Sequence, residues 1–242
     1  MTTLRTGALA ILPSVFAMAL TDAIIKGWSD GISLWQIWVL RSVLVLPVLY
    51  ILARGRVRVD QPGWVALRCL ALVSMYLTMY PALPLIDMSL AGAAFYTAPF
   101  FIAGLSALVL GQRIGWLQWL AILVGFAGLL IIVRPFGMHF SPAVLLPVAA
   151  AFCYACAAVV TRARCTRIDP VALGFWLNLA FLGVGAAAAL AVESGALRHP
   201  GGMPLLFAAW QPTAADDWLM IAGLAVLMLG VSIGVAVAYK AP

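Results

Sequence analysis

The chain has 242 residues, 65% of them apolar and only 9% charged, with a mean hydropathy of +1.11. A soluble domain carries roughly 25% charged and about 45–50% apolar residues, so a soluble enzyme, a nucleic-acid-binding protein and a disordered chain are excluded, and a membrane protein with several spans remains. The net charge of +6 comes from basic residues scattered between apolar runs, where they orient helices instead of gripping a polyanion.

A bilayer core of about 30 Å takes roughly 20 apolar residues per helix. In chain order, the segments that meet this demand are residues 8–25, 34–53, 64–86, 88–110, 116–133, 142–161, 171–192 and 218–238. The first carries Arg5 and Ala17-Met18-Ala19, the form of a cleavable signal peptide, but its apolar run continues past Ala19 and it reads as a span. Between the seventh and eighth segments, residues 193–217 form a longer connector, apolar at 203–210, which predicts a short helix in the membrane interface. All are continuous apolar runs and not ten-residue alternations. The expected fold class is therefore all-α, a polytopic transmembrane bundle of eight helices.

The basic residues set the orientation. With the N-terminus inside, Arg5, Arg54, Arg56, Arg58, Arg68, Arg113, Arg162, Arg164, Arg167 and Lys240 lie on the inner side. Only Lys26, Arg134 and Arg198 lie outside, which predicts cytoplasmic termini. Trp28, Trp35, Trp38, Trp210 and Trp218 fall near the outer boundary, and Trp64, Trp116, Trp119 and Trp176 near the inner one, as aromatic belts do.

An internal repeat runs through the chain. Leu12-Pro13 early in the first segment is echoed by Leu146-Pro147 early in the sixth. Residues 33–41 align without gaps to 170–178, placing Arg41 opposite Asn178, and Trp64 opens the third segment as Trp218 opens the eighth. Segments one to three thus map onto six to eight, which implies a five-helix unit. An odd unit inserts its second copy upside down, the inverted repeat of many secondary transporters. The predicted units are residues 1–135 and 136–242, the second with three helices.

The run Gly111-Gln112-Arg113-Ile114-Gly115-Trp116-Leu117-Gln118-Trp119-Leu120, followed by a glycine-rich helix ending Val133-Arg134-Pro135, resembles the fourth-to-fifth helix junction of EamA-type proteins of the drug/metabolite transporter superfamily. Lys26 and Arg41-Ser42 also resemble that family's early motifs; Gln112 stands where the family usually has an acidic residue. The resemblance implies ten helices in two inverted copies, so that the last two would be lacking here. It also implies a carrier of a small organic metabolite in a bacterial inner membrane, working by alternating access. The alternative is an inactive truncated fragment or an assembly subunit of such a carrier. The partners expected are the solute and the bilayer, with no nucleic acid, and the reading admits a homodimer.

Polar groups inside apolar segments are candidates for the site. Arg41 lies about 10 Å inside the second segment at 1.5 Å per residue, and Asn178 lies equally deep in the seventh from the other side. Arg41 is read either as a ligand group or as a structural cation, snorkelling or in a fixed ion pair with Asp22 at similar depth; Asp22 and Lys26, four apart, are a candidate ion pair or coupling pair. Pro99 sits near the middle of the fourth segment, so Tyr96 and Thr97 offer hydroxyls beside a kink. Tyr76 and Tyr80 on the third segment, with Phe16 on the first and Tyr154 on the sixth, complete a predicted cavity for an organic solute. The small residues at Ala103/Ala107/Gly111, Ala121/Gly125 and Gly230/Gly234 read as close helix packing. Cys69, Cys153, Cys156 and Cys165 make no disulfide framework. His139 and His199 lie in outer loops without partner ligands, so neither a metal, a cofactor nor a catalytic centre is expected.

Overall fold

The structure is a computed structural model that describes residues 2–27, 32–112, 115–133, 141–196 and 204–240. Trp28, Arg113-Ile114, Arg134-Pro135, His139, Arg198 and His199 lie outside the described residues. The described residues are helical, without a strand among them. The helices are α1 (Thr2–Gly27), α2 (Leu34–Leu52), α3 (Pro62–Met79), α4 (Met88–Phe95), α5 (Ala98–Leu110), α6 (Trp116–Val133), α7 (Leu145–Arg164), α8 (Pro170–Glu193), the short α9 (Pro204–Phe207) and α10 (Ala215–Lys240). Among the described residues six stretches are long and apolar enough to cross a bilayer: Leu34–Leu52, Pro62–Ala82, Met88–Leu110, Pro142–Arg164, Pro170–Glu193 and Ala215–Gly234. Helices α1 and α6 stand at the first and fifth predicted segments. The protein is thus a multi-pass membrane protein.

The helices gather into two compact units, one of residues 1–60 with 168–242, the other of residues 61–167. In the first, α1 packs on α10, and α2 packs on α8 and α10. Ser33 caps α2, its hydroxyl accepting from Gln36 N at 3.3 Å, and Asp169 caps α8 through Val171 N at 3.1 Å. Each cap satisfies a donor that a helix start leaves open. Helices α2 and α8 run antiparallel: the Trp38 and Phe181 rings lie 4.7 Å apart at one level, and Tyr50 and Phe175 6.2 Å apart further along. Gly185 permits this approach, since a Cβ there would stand 3.1 Å from the Trp35 carbonyl oxygen and 3.2 Å from Trp38 Cβ. Val45, Leu49, Ala53, Val171 and Ala225 form the core below.

Side-chain amides and indoles fasten the connectors of this unit. Trp35 Nε1 donates to the Leu206 carbonyl at 2.7 Å; Gln36 Nε2 donates to the Gln211 carbonyl at 2.7 Å and Gln36 Oε1 accepts from Gln211 N at 3.0 Å. Gln36 is fully buried, and this two-point pairing is what makes a buried amide tolerable. At the other end Trp176 Nε1 donates to the Val57 carbonyl at 2.8 Å. Both indoles sit apolar ring inward and polar edge on a connector, as amphipathic side chains do at a boundary.

In the second unit α3, α4 and α5 pack on α7, and α4 and α5 also touch α6. Arg68 Nε donates to Thr161 Oγ1 at 2.9 Å, and the Arg164 guanidinium lies 5.1 Å from the Trp64 ring centre. These contacts pair α3 and α7 antiparallel. The fourth predicted segment, read as one kinked span, is two helices, α4 and α5, interrupted at Tyr96-Thr97.

Candidate functional site

The interruption between α4 and α5 follows from its sequence. Pro99 lacks an N–H and its ring crowds the preceding turn, so an unbroken helix through residues 95–99 would lose a bond and clash. The chain answers with a tight turn: Tyr96 N reaches the Gly92 and Ala93 carbonyls at 3.1 Å, and Thr97 N reaches the Ala94 carbonyl at 3.2 Å. A new helix then starts, with Phe100 N donating to the Thr97 carbonyl at 3.0 Å. Thr97 Oγ1 donates to the Ala94 carbonyl at 2.8 Å and is buried. That bond caps the upstream end and leaves the hydroxyl its acceptor capacity.

A cavity of about 720 Å³ opens beside this break, facing α6. Its volume lies inside the range of small-molecule sites, about 300–1,000 Å³. Tyr96, Thr97 and Phe100 line one side, Ala121, Gly125 and Phe126 the other. The Phe100 and Phe126 rings stand 5.7 Å apart and only 31° from parallel, and Tyr96 is 80% exposed beside them. The site offers aromatic faces and small residues, with few hydroxyls, Ser89 among them. Such a wall takes a flat organic ring by stacking and fixes it with a few hydrogen bonds.

Tyr96 and Thr97 are the predicted residues that this cavity brings together. Ser89, Phe100 and Phe126 were not anticipated, although Phe100 lies one turn beyond Tyr96. Ala121 and Gly125 correct the packing reading: they line open space, and no described atom lies within 4 Å of a Cβ built on Gly125. Tyr76 and Tyr80 stack on each other at 5.3 Å, Tyr80 being buried, and Tyr154 meets Phe95 at 5.7 Å. None of the three lines the cavity. Phe16 belongs to the first compact unit and is 70% exposed.

That unit holds the other predicted residues. Arg41 is only 3% exposed, and its guanidinium carbon sits 5.2 Å from the Phe181 ring centre. Among the described residues no carboxylate pairs with it, and its Nε has no hydrogen-bond acceptor. Asn178, fully buried one turn before Phe181, donates through Nδ2 to the Gly174 carbonyl at 2.9 Å, while its Oδ1 and the buried Ser42 hydroxyl have no partner among the described residues. Asp22 and Lys26 are half-buried on α1, and both are engaged.

All four cysteines are free thiols. Cys165 ends α7 under cover; burial pushes its thiol up, against the opposing charge of Arg68, which is the reverse of what a reactive thiolate needs. Among the described residues no cluster of His, Cys, Asp and Glu could hold a metal ion.

Residues 5–134 match the EamA-like transporter family. The chain belongs to that family. It is accordingly a transporter protein and not an enzyme. The chain is 28% identical over 243 residues to a riboflavin transporter of Vibrio cholerae, an alignment covering 96% of this chain and 76% of that one. It is 34% identical over 104 residues to a riboflavin transporter of Rhizobium johnstonii, covering 41% and 34%. To an S-adenosylmethionine uptake transporter of Rickettsia felis it is 24% identical over 164 residues, covering 68% and 54%. A crystal structure with 22% sequence identity shares the fold at a TM-score of 0.62, over 99% of this chain and 79% of the other.

Proposed function

We propose that this EamA-family member is a secondary carrier for a small organic metabolite with a flat heteroaromatic part, working by alternating access in a bacterial inner membrane. The observation that carries the reading is the cavity at the α4–α5 break, where Tyr96, Phe100 and Phe126 supply ring faces beside Thr97. Isoalloxazine and adenine, the flat parts of riboflavin and S-adenosylmethionine, have the shape and chemistry that such a wall accepts, and relatives carry those two names. Within the first compact unit, the same proposal gives Arg41 and Asn178 a role in polar recognition of the solute and makes Asp22 with Lys26 the ion-pair or coupling element.

The inverted repeat, with units 1–135 and 136–242, is part of this proposal. It exchanges α1 with α7, α2 with α8 and α3 with α10. Under that exchange the α2–α8 pair maps onto itself, and the α1–α10 pair maps onto α7–α3, which is also a pair in the fold. Residue contacts within the first unit support the exchange of α2 with α8. Trp38 meets Phe181 and Tyr50 meets Phe175, so Arg41 and Asn178, equivalent in the repeat, stand at one level near the centre of the α2–α8 pair. Each compact unit would then contain helices from both repeats, as rocking of one bundle against another requires.

Uptake tests the solute class. Cells expressing the chain are expected to accumulate radiolabelled riboflavin or S-adenosylmethionine saturably, above an empty-vector control, with excess unlabelled solute competing. If neither solute accumulates from a chain present in the membrane, the flat-ring reading fails.

The orientation is testable separately. With native thiols removed, a cysteine placed by Arg56→Cys is expected to resist a membrane-impermeant maleimide in intact cells and to react after permeabilisation. Labelling from outside would invert the whole topology, termini included.

A further inference from the structure

The inner end of α2 carries a built cationic turn that the transport reading does not use. The chain leaves α2 through Ala53 and reverses at two successive left-handed residues, Arg54 (φ 52°) and Gly55 (φ 70°). Three backbone bonds close the reversal: Arg54 N to Ile51 O at 2.9 Å, Gly55 N to Tyr50 O at 3.0 Å and Arg56 N to Ala53 O at 2.9 Å. Val57 is then anchored twice. Its side chain packs on the core of Leu49, Ala53 and Val171, and its carbonyl receives the Trp176 indole at 2.8 Å.

With Val57 tied down, Arg54, Arg56 and Arg58 are all exposed around it, and among the described residues none is paired with a carboxylate. Leu44, Val48 and Ile51, at i, i+4 and i+7 along one face of α2, are exposed above the turn, Ile51 at 72%. The surface therefore changes from an apolar strip to three guanidinium groups within one turn of chain. Water suits neither half of it together with the other. A molecule with a negative headgroup and an acyl tail suits both.

We infer that the Arg54–Arg58 turn with the Leu44, Val48 and Ile51 strip is a binding site for an anionic phospholipid, the phosphodiester held by the arginines and an acyl chain lying on the α2 strip. Guanidinium forks match phosphate oxygens in pairs. The rigid turn means that little ordering is needed on binding.

Native mass spectrometry of the detergent-purified full chain, titrated with palmitoyl-oleoyl phosphatidylglycerol or with the phosphatidylcholine of the same chains, tests this. Each arginine beside an anionic headgroup contributes roughly fivefold in affinity, so phosphatidylglycerol is expected to be retained on the order of a hundredfold better. The double variant Arg56→Gln/Arg58→Gln, which leaves the left-handed pair untouched, is expected to lose roughly twentyfold of that preference. Arg162→Gln/Arg167→Gln, removing exposed arginines of the last turn of α7 and the connector after it, is expected to lose none. If the glutamine variant does not yield folded protein by circular dichroism, Arg56→Lys/Arg58→Lys replaces it and is expected to keep a preference for phosphatidylglycerol. Equal retention of the two lipids by the wild type overturns the proposal, as does loss of the preference in the folded lysine variant. An equal loss in the Arg162/Arg167 control points to general surface charge and overturns it too. Displacement of the lipid by millimolar inorganic phosphate makes this a free-phosphate site, and the lipid assignment falls.

Discussion

Gly125→Trp is expected to cut uptake at least about tenfold, a loss of roughly 1.4 kcal/mol in transport efficiency, without loss of folded protein. Gly125 faces the cavity from α6, and a Cβ built there meets no described atom within 4 Å. An indole at this position therefore starts from an open Cβ and grows into the cavity between Phe126 and the α4–α5 break. Replacing a helical glycine also removes a residue that weakens helices by about 1 kcal/mol relative to alanine, so a folding defect is not the expected outcome. The matched control is Gly183→Trp on α8, another glycine with open space around it, which is expected to transport like the wild type. Uptake and membrane level measured side by side, with whichever solute the wild type accumulates, decide the matter. Undiminished uptake by Gly125→Trp at equal expression removes the cavity from the transport path.

The spans were legible because a bilayer forces every backbone polar group to be satisfied within its own helix, which leaves long apolar runs visible in the sequence. The kink beside Pro99 was legible for a similar reason, since proline disturbs the helix before it, but its sharpening into a break between two helices at Tyr96-Thr97 was not. What the sequence left ambiguous is direction around a helix axis. Small residues at Ala121 and Gly125 allow either close packing or an open wall, and the choice depends on where α6 lies, which spacing does not encode. The same limit governs Tyr76 and Tyr80, which carry the hydroxyls of a binding aromatic but stack on each other. Gln36 shows a second limit. A glutamine in an apolar run is a conspicuous residue, but its partner, the Gln211 backbone, is 175 positions away, and no local rule connects them. Depth along the helix placed Arg41 and Asp22 at one level; the ring that lies over Arg41 is that of Phe181, from a segment that depth alone could not single out.

Arg41→Gln is expected to abolish uptake with normal membrane expression. Arg41 is 3% exposed, and its guanidinium carbon lies 5.2 Å from the Phe181 ring centre. A buried charge without compensation costs several kcal/mol, of which a cation–π contact returns about 1–2. No carboxylate pairs with Arg41 among the described residues, and its Nε, the Ser42 hydroxyl and Asn178 Oδ1 are all without partners. The balance is what an acceptor group on a solute would supply on reaching this level. Arg41→Lys keeps the charge but loses the flat face on Phe181 and the two-pronged geometry, so uptake should weaken while the fold survives. The competing reading makes Arg41 a structural cation in a fixed ion pair with Asp22. Under it, Asp22→Asn and Arg41→Gln each lower expression, and the double variant recovers much of the loss. Under the ligand reading, Arg41→Gln is inactive whatever occupies position 22. A double-variant cycle read on both expression and uptake separates the two, because only coupled residues depart from additivity. Full recovery of uptake in Asp22→Asn/Arg41→Gln would strike Arg41 from the residues that touch the solute.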